Sequence, residues 1–138
     1  MSDTIQLRVT DIVHGEPDFS KFDHLLRTSK VIAEIDTDEP FTIFAPTNDA
    51  FEKLPAGTIG EAMEQSRLRE IVSFHIVSGM VPRAELREED SVTTLTGQKA
   101  LIECVGQNTH IGGARITTAD MAAENGFVHA IDTVMFPD

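Results

Sequence analysis

The chain has 138 residues, of which 41% are hydrophobic, and this suits a single domain over residues 1–138 with its own buried core. No apolar run reaches the roughly 18 residues of a membrane-spanning helix, so membrane insertion is not expected. The net charge of −12 combines 23 acidic residues with 11 scattered basic ones. A nucleic-acid partner requires a basic face and is therefore not expected either.

The first part of the chain predicts helices. Apolar residues at helical spacing between Ile5 and Val13 indicate a helix that stops at Gly15. Asp18 or Ser20 is a candidate N-cap for a second helix, because short polar side chains accept hydrogen bonds from the free amides of a first helical turn.

A β-rich run, Phe41–Ala45, follows and is ended by Pro46. Thr47 then has the position of an N-cap for another helix. A later helix begins at Ser66, carries His75 and Ile76 on its apolar face, and is predicted to end at Gly79.

The second half predicts strands separated by glycine-rich turns. Five runs are β-rich or alternate: Ser91–Leu95, Gln98–Val105, Thr109–Ile111, Ala114–Thr117 and Phe127–Phe136. The last run carries apolar residues at both odd and even positions, which predicts a central strand that is buried on both sides and lies near Phe41–Ala45. Helices followed by strands indicate an α+β domain.

Three segments together resemble the fasciclin-like (fasciclin I type) domain family, as a single-domain bacterial-type member. These are Phe41–Pro55, the helix Leu68–Val77 with its ending Phe74-His75-Ile76-Val77, and Asn125–Pro137. Their order and spacing match over about residues 5–137. The resemblance implies a β-sandwich or wedge with helices packed along one edge.

The resemblance also implies a function. Such domains are mostly non-catalytic adhesion modules at cell surfaces or in the extracellular matrix, and they bind proteins or glycans without a cofactor. This favours a secreted, periplasmic or cell-surface location and a monomer. The beginning, Met1–Thr4, lacks the features of a signal peptide, which leaves a cytoplasmic location open. An intracellular protein that binds a small ligand or a metal is the alternative.

Ten positions in these segments are candidates for adhesion or for holding the fold. They are Thr47, Asn48, Phe74, His75, Ile76, Asp120, Met121, Asn125, Gly126 and His129. A buried imidazole needs a hydrogen-bond partner, so we expect His75 to bond to the Pro46–Asp49 loop, through Thr47 or Asn48.

Asp120 and Met121 align with an integrin-binding Glu-Pro-Asp-Ile-Met stretch found in some animal members of the family. The Glu-Pro pair is absent here, so integrin binding is not supported, and Asp120 is expected on an exposed loop.

Catalytic and metal-binding motifs are missing from the sequence. The five histidines lack the close spacing of a transition-metal site, and no nucleophile or phosphate-loop motif occurs. His129 and Asp132 are three residues apart and would face opposite sides of a strand, so Asp132 is expected to bond to backbone at the sheet end. Cys104 is alone and is expected to pack within a strand. We therefore expect no enzyme activity.

Overall fold

The computed structural model describes residues 9–35, 40–52, 65–106, 108–123 and 126–134. The helices are α1 (Val9–Gly15), α2 (Ser20–Thr28), α3 (Ile32–Ile35), α4 (Asn48–Glu52), α5 (Gln65–Ser73) and α6 (Arg83–Leu86), with a 3₁₀ turn at Pro17–Phe19. The strands are β1 (Phe41–Pro46), β2 (Ile76–Ser78), β3 (Ser91–Thr93), β4 (Lys99–Val105), β5 (Asn108–Ile111), β6 (Ala114–Ala123) and β7 (Gly126–Ile131). The predicted α+β class is confirmed.

The seven strands form one sheet that curls almost into a closed barrel. Its order is β2-β1-β7-β6-β5-β4-β3, in which β1 and β7 are parallel and the other neighbours are antiparallel. The two ends of the sheet meet where Val77 of β2 bridges Thr94, just after β3. The Leu95 amide also donates to the Ile76 carbonyl at 2.9 Å. This nearly closed sheet, with helices against one side, confirms the wedge.

Two apolar cores lie on the two sides of the central strands. Ile43 of β1 and Val128 of β7 belong to the core that α1, α2 and α5 cover. Phe44 and Ile131 belong to the second core, which also contains residues of β2, β4, β5 and β6. Because successive strand residues face opposite sides, both faces of this pair must be apolar. The expected central position of the closing strand is confirmed, although β7 ends at Ile131, and the last two residues of the predicted run lie outside the described residues.

The predicted helix beginning at Ser66 was wrong at its end. Helix α5 stops at Ser73, and Ile76–Ser78 form β2 instead of continuing the helix to Gly79. Ile76 and Val77 are both buried and pair with β1. β-Branched side chains suit such a doubly covered strand, so sheet pairing outweighs the local helical pattern.

Two other expectations were also wrong. Strand β6 extends to Ala123, so Asp120 and Met121 lie in a strand that pairs with β7 and not in an exposed loop. Cys104 lies in β4 as predicted, but it is exposed and not packed. None of the helices in the described ranges combines the length and apolar character needed to cross a membrane.

Candidate functional site

The candidate positions from the sequence gather around the central strands β1 and β7. Thr47 and Asn48 follow β1, Phe74 and His75 form the turn before β2, Ile76 begins β2, Gly126 and His129 belong to β7, and Met121 of β6 pairs with Val128. Asn125 and the side chain of Asp120 lie outside the described residues. The fold therefore brings most of these residues together, and their contacts show what each one does there.

His75 is almost completely buried, with 1% of its surface exposed. Its Nδ1–H donates to the carbonyl of Ile71, one helical turn earlier, at 2.7 Å. The ring of Phe22 in α2 lies 5.7 Å away, centroid to centroid. Burial lowers the pKa of His75 from 6.5 to about 4, although the hydrogen bond to Ile71 opposes this shift. His75 is therefore neutral at pH 7.

The expected partner of His75 was the Pro46–Asp49 loop, but the hydrogen bond described for its ring goes to the end of the preceding helix, α5. The last carbonyls of a helix lack their usual intrahelical partners, and the Ile71 oxygen accepts both the His75 ring N–H and, at 3.2 Å, the Phe74 amide. The ring thereby caps the end of α5, where the chain leaves the helix for β2.

Asn48 caps α2 from a distant part of the chain. Its Oδ1 accepts the Lys21 amide at 3.0 Å, and its Nδ2 donates to the Pro17 carbonyl at 3.1 Å and to Ser20 Oγ at 3.0 Å. The predicted local caps, Asp18 and Ser20, make no capping hydrogen bond to α2. Asn48 therefore joins α4 to α2.

Thr47 has the predicted capping role. Its Oγ1 accepts the Ala50 amide at 3.3 Å, in the first turn of α4. Its own amide donates to the Ile131 carbonyl at 3.1 Å, which ties the end of β1 to the end of β7. The N-cap prediction for Thr47 is confirmed.

Gly126 begins β7 at a point of close backbone approach. Its φ is +154°, and a Cβ built on it would overlap the Phe41 carbonyl oxygen and lie 2.7 Å from the Phe41 carbonyl carbon. Phe41 is the residue it pairs with in β1. Only glycine fits this position without a shift of the backbone.

His129 holds the segment before α6 against the sheet. The ring is fully buried, its Nε2–H donates to the Val81 carbonyl at 2.8 Å, and it stacks near Phe44 and Phe127 at 5.4 and 6.2 Å. Asp132 Oδ1 accepts the Arg115 amide at 2.9 Å, so the predicted backbone contact of Asp132 at the sheet end is confirmed.

A surface groove lies where the two ends of the sheet meet, and we call it the seam groove. Its volume is about 420 Å³. Valine and leucine side chains line it together with hydroxyl groups and two exposed glutamates. The lining residues are Val77, Ser78, Val81, Glu85, Glu89, Ser91, Val92, Thr93, Thr94 and Leu95. The groove has no counterpart in a local sequence pattern, because the closing of the sheet creates it. The sequence does show an acidic run beside it, Glu88–Asp90, of which Glu89 lines the groove.

A smaller cavity of about 250 Å³ lies beside the β4–β5 hairpin. Phe74, Lys99, Glu103 and His110 are among its lining residues. The Nδ1 atom of His110 is buried and has no hydrogen-bond partner within the part of the chain that the structure describes. In the same ranges, no three histidine, cysteine or acidic side chains are placed to hold a metal ion.

Comparison with known proteins agrees with this architecture. The model of the fasciclin domain family matches residues 17–137. Protein sll1483 of Synechocystis sp. is 29% identical over 134 residues, which are 95% of this chain and 74% of that protein. Human periostin is 32% identical over 132 residues, which are 94% of this chain but 16% of periostin.

A solved structure shows the same fold. It is a FAS1 domain pair from the insect cell adhesion molecule fasciclin I, with a TM-score of 0.68 and 24% sequence identity. The match covers 86% of this chain and 45% of the fasciclin I chain. The family match over most of the chain and the shared fold lead to one conclusion: the chain belongs to the fasciclin domain family.

Proposed function

We propose that the protein is a non-catalytic interaction module that binds a partner protein at a cell surface or in a matrix. The observation that carries the proposal is the clustering of exposed apolar side chains in one part of the chain. The exposed large hydrophobic side chains of the described residues all lie between residues 80 and 105: Met80, Leu95, Leu101 and Val105. Leu101 and Val105 are 66% and 59% exposed. They are four residues apart in β4, so their side chains lie on the same face of the strand. A partner that covers them would remove apolar surface from water.

The other polar candidates support an interaction module by their contacts. Asn48, His75, His129 and Asp132 are engaged with backbone groups. These residues hold α2, α5, the α6 segment and the sheet end in place. We therefore assign partner binding to exposed side chains and not to these four residues. The solved fold neighbour comes from a cell adhesion molecule, which supports an adhesive role and a location outside the cytoplasm.

The test is solid-phase binding to a panel of purified matrix proteins and to a glycan array. The double variant Leu101→Ser, Val105→Thr should reduce binding to any protein partner by about tenfold, since two exposed apolar side chains leave the contact. His24→Gln, an exposed change in α2, is the matched control and should bind like the wild type. Equal binding by the double variant would contradict the use of this face. If the chain bound only glycans, we would conclude that its partner is a carbohydrate and not a protein.

The smaller cavity favours a second candidate function, binding of a small ligand. The His110 Nδ1, which has no partner among the described residues, would bond to a polar group of such a ligand, and Lys99 would attract a carboxylate. Thermal melting with a set of small carboxylic acids tests this alternative. A rise in melting temperature that is lost in His110→Phe would support it, and no rise with any of them would reject it.

A further inference from the structure

We propose that the seam groove binds an extended peptide of the partner, rich in lysine or arginine beside apolar residues, as an added strand on β3. This proposal rests on the proposed function, because it names the chemistry of one segment of the partner protein. Three observations carry it: the unpaired edge of β3, the apolar walls of the groove and the acidic side chains at its opening.

The backbone of β3 has an unpaired edge at Ser91. Asp90 accepts the Ile102 amide, and the Thr94 amide donates to Gln98, so these positions bond towards β4. Antiparallel partners alternate between bonded and non-bonded pairs, and Ser91 therefore directs its N–H and C=O away from β4. Within the described residues no strand pairs with Ser91 on that side, because the contacts with β2 are made further along the chain, at the Thr94 bridge and the Leu95 amide.

The groove offers side-chain contacts along this edge. Val77 lies buried at its base, Val81 and Val92 are half-buried, and Leu95 is exposed. Its volume of about 420 Å³ falls within the ~300–1,000 Å³ typical of ligand sites. In an added strand, alternate side chains would enter the groove while the backbone bonds to β3, as in known cases of strand addition.

The charge at the opening selects a basic segment. Glu85 and Glu89 are exposed and line the groove, and neither forms an ion pair within the described residues. The basic side chains next to them point elsewhere: Arg83 Nε lies 3.4 Å from Thr109 Oγ1, and Arg87 Nη2 donates to the Gly106 carbonyl at 3.1 Å. The groove thus has uncompensated negative charge on a protein of net charge −12.

The experiment measures binding of a labelled peptide, acetyl-Lys-Val-Lys-Val-Lys-Val-amide, to the full chain by fluorescence anisotropy. Two control peptides separate the causes of binding. One has glutamate in place of lysine, and one carries N-methyl groups on alternate amides, which block strand pairing and keep the charge. We expect saturable binding of the first peptide and no binding of either control.

Protein variants then locate the contact. Glu85→Gln, Glu89→Gln should weaken binding about five- to tenfold, since two exposed ion pairs are lost. Glu88→Gln, Asp90→Asn makes the same change in net charge in the same turn without altering a residue that lines the groove. This control should stay within about twofold of the wild type. On addition of the peptide, amide hydrogen exchange should slow at Ser91.

Several results would overturn the proposal. Equal weakening by both double variants would mean that only the overall charge attracts the peptide. Undiminished binding of the N-methylated peptide would exclude strand addition. Self-association of the chain through this edge, seen by sedimentation in place of peptide binding, would identify a second copy as the occupant. If the panel proteins bind and the peptide neither binds nor competes, this inference fails and the proposed function stands. If the peptide binds and no panel protein does, the proposed function fails.

Discussion

Replacing His75 with a group that does not titrate should flatten the acid dependence of stability. The pKa of His75 is about 4 in the folded protein because the ring is buried, against an ordinary value of 6.5. Between these values the unfolded chain binds a proton that the folded chain does not, so the free energy of unfolding falls as the pH falls. The contribution of His75 to stability is therefore fully present above pH 6.5 and is lost as the pH falls towards 4.

The size of the effect follows from the shift of the pKa. A change from 6.5 to about 4 corresponds to about 3 kcal/mol of unfolding free energy. His75→Gln removes this contribution, although at pH 7 it should itself cost about 1–3 kcal/mol through altered packing around Phe22 and a weakened bond to Ile71. The informative quantity is thus the difference between the two proteins as a function of pH.

Urea unfolding of both proteins at pH 7, 6, 5 and 4 provides the measurement. The carboxylates that titrate below pH 5 are the same in both, so they cancel in the difference. We expect the deficit of His75→Gln to shrink by about 3 kcal/mol between pH 7 and pH 4. The exposed His24→Gln variant, which also loses one histidine, should follow the wild type. Parallel curves for wild type and His75→Gln would refute a buried, neutral His75.

Three further changes test the contacts around the central strands. Gly126→Ala should cost about 3–5 kcal/mol in urea unfolding, because its Cβ meets the backbone of Phe41, whereas Gly15→Ala has open space and should be neutral or slightly stabilising. Asn48→Ala should cost about 1–2 kcal/mol through the lost cap of α2, and its exposed neighbour Asp49→Ala should cost clearly less. Deleting residues 127–138 removes most of β7 from between β1 and β6, so the truncated chain should show no cooperative thermal transition; a sharp transition would contradict the central role of β7.

Local sequence patterns correctly predicted those elements whose tertiary contacts favour the same secondary structure. The β-rich run at Phe41, the Thr47 cap and the turn glycines of the later strands were all visible in the sequence, because each depends on residues within a few positions. The doubly apolar closing segment likewise predicted a central strand, since both of its faces had to be covered. The resemblance to the fasciclin family joined these elements into one fold.

The errors occurred where distant residues compete with local preference. Ile76 continues a helical pattern, yet its pairing with Ile43 places it in β2. The Asp18 and Ser20 caps were plausible locally, but Asn48 supplies the hydrogen bonds to α2 from 28 residues beyond Ser20. His75 was expected to bond to a distant loop, and the hydrogen bond described for its Nδ1 goes to the nearby Ile71. Sequence spacing cannot show which of several possible partners a residue will bond to, because the choice depends on the folded geometry.

The sequence by itself therefore determined the α+β class, the central strand and the family. Periodicity, turn residues and ordered motifs are properties of the chain itself. Only the tertiary structure decided which groups the buried polar residues bond to and where the surface offers a groove. The seam groove exists because β2 and β3, joined at Val77 and Thr94, separate on either side of that bridge. Burial and such clefts arise from contacts between residues far apart in sequence, and no local pattern encodes them.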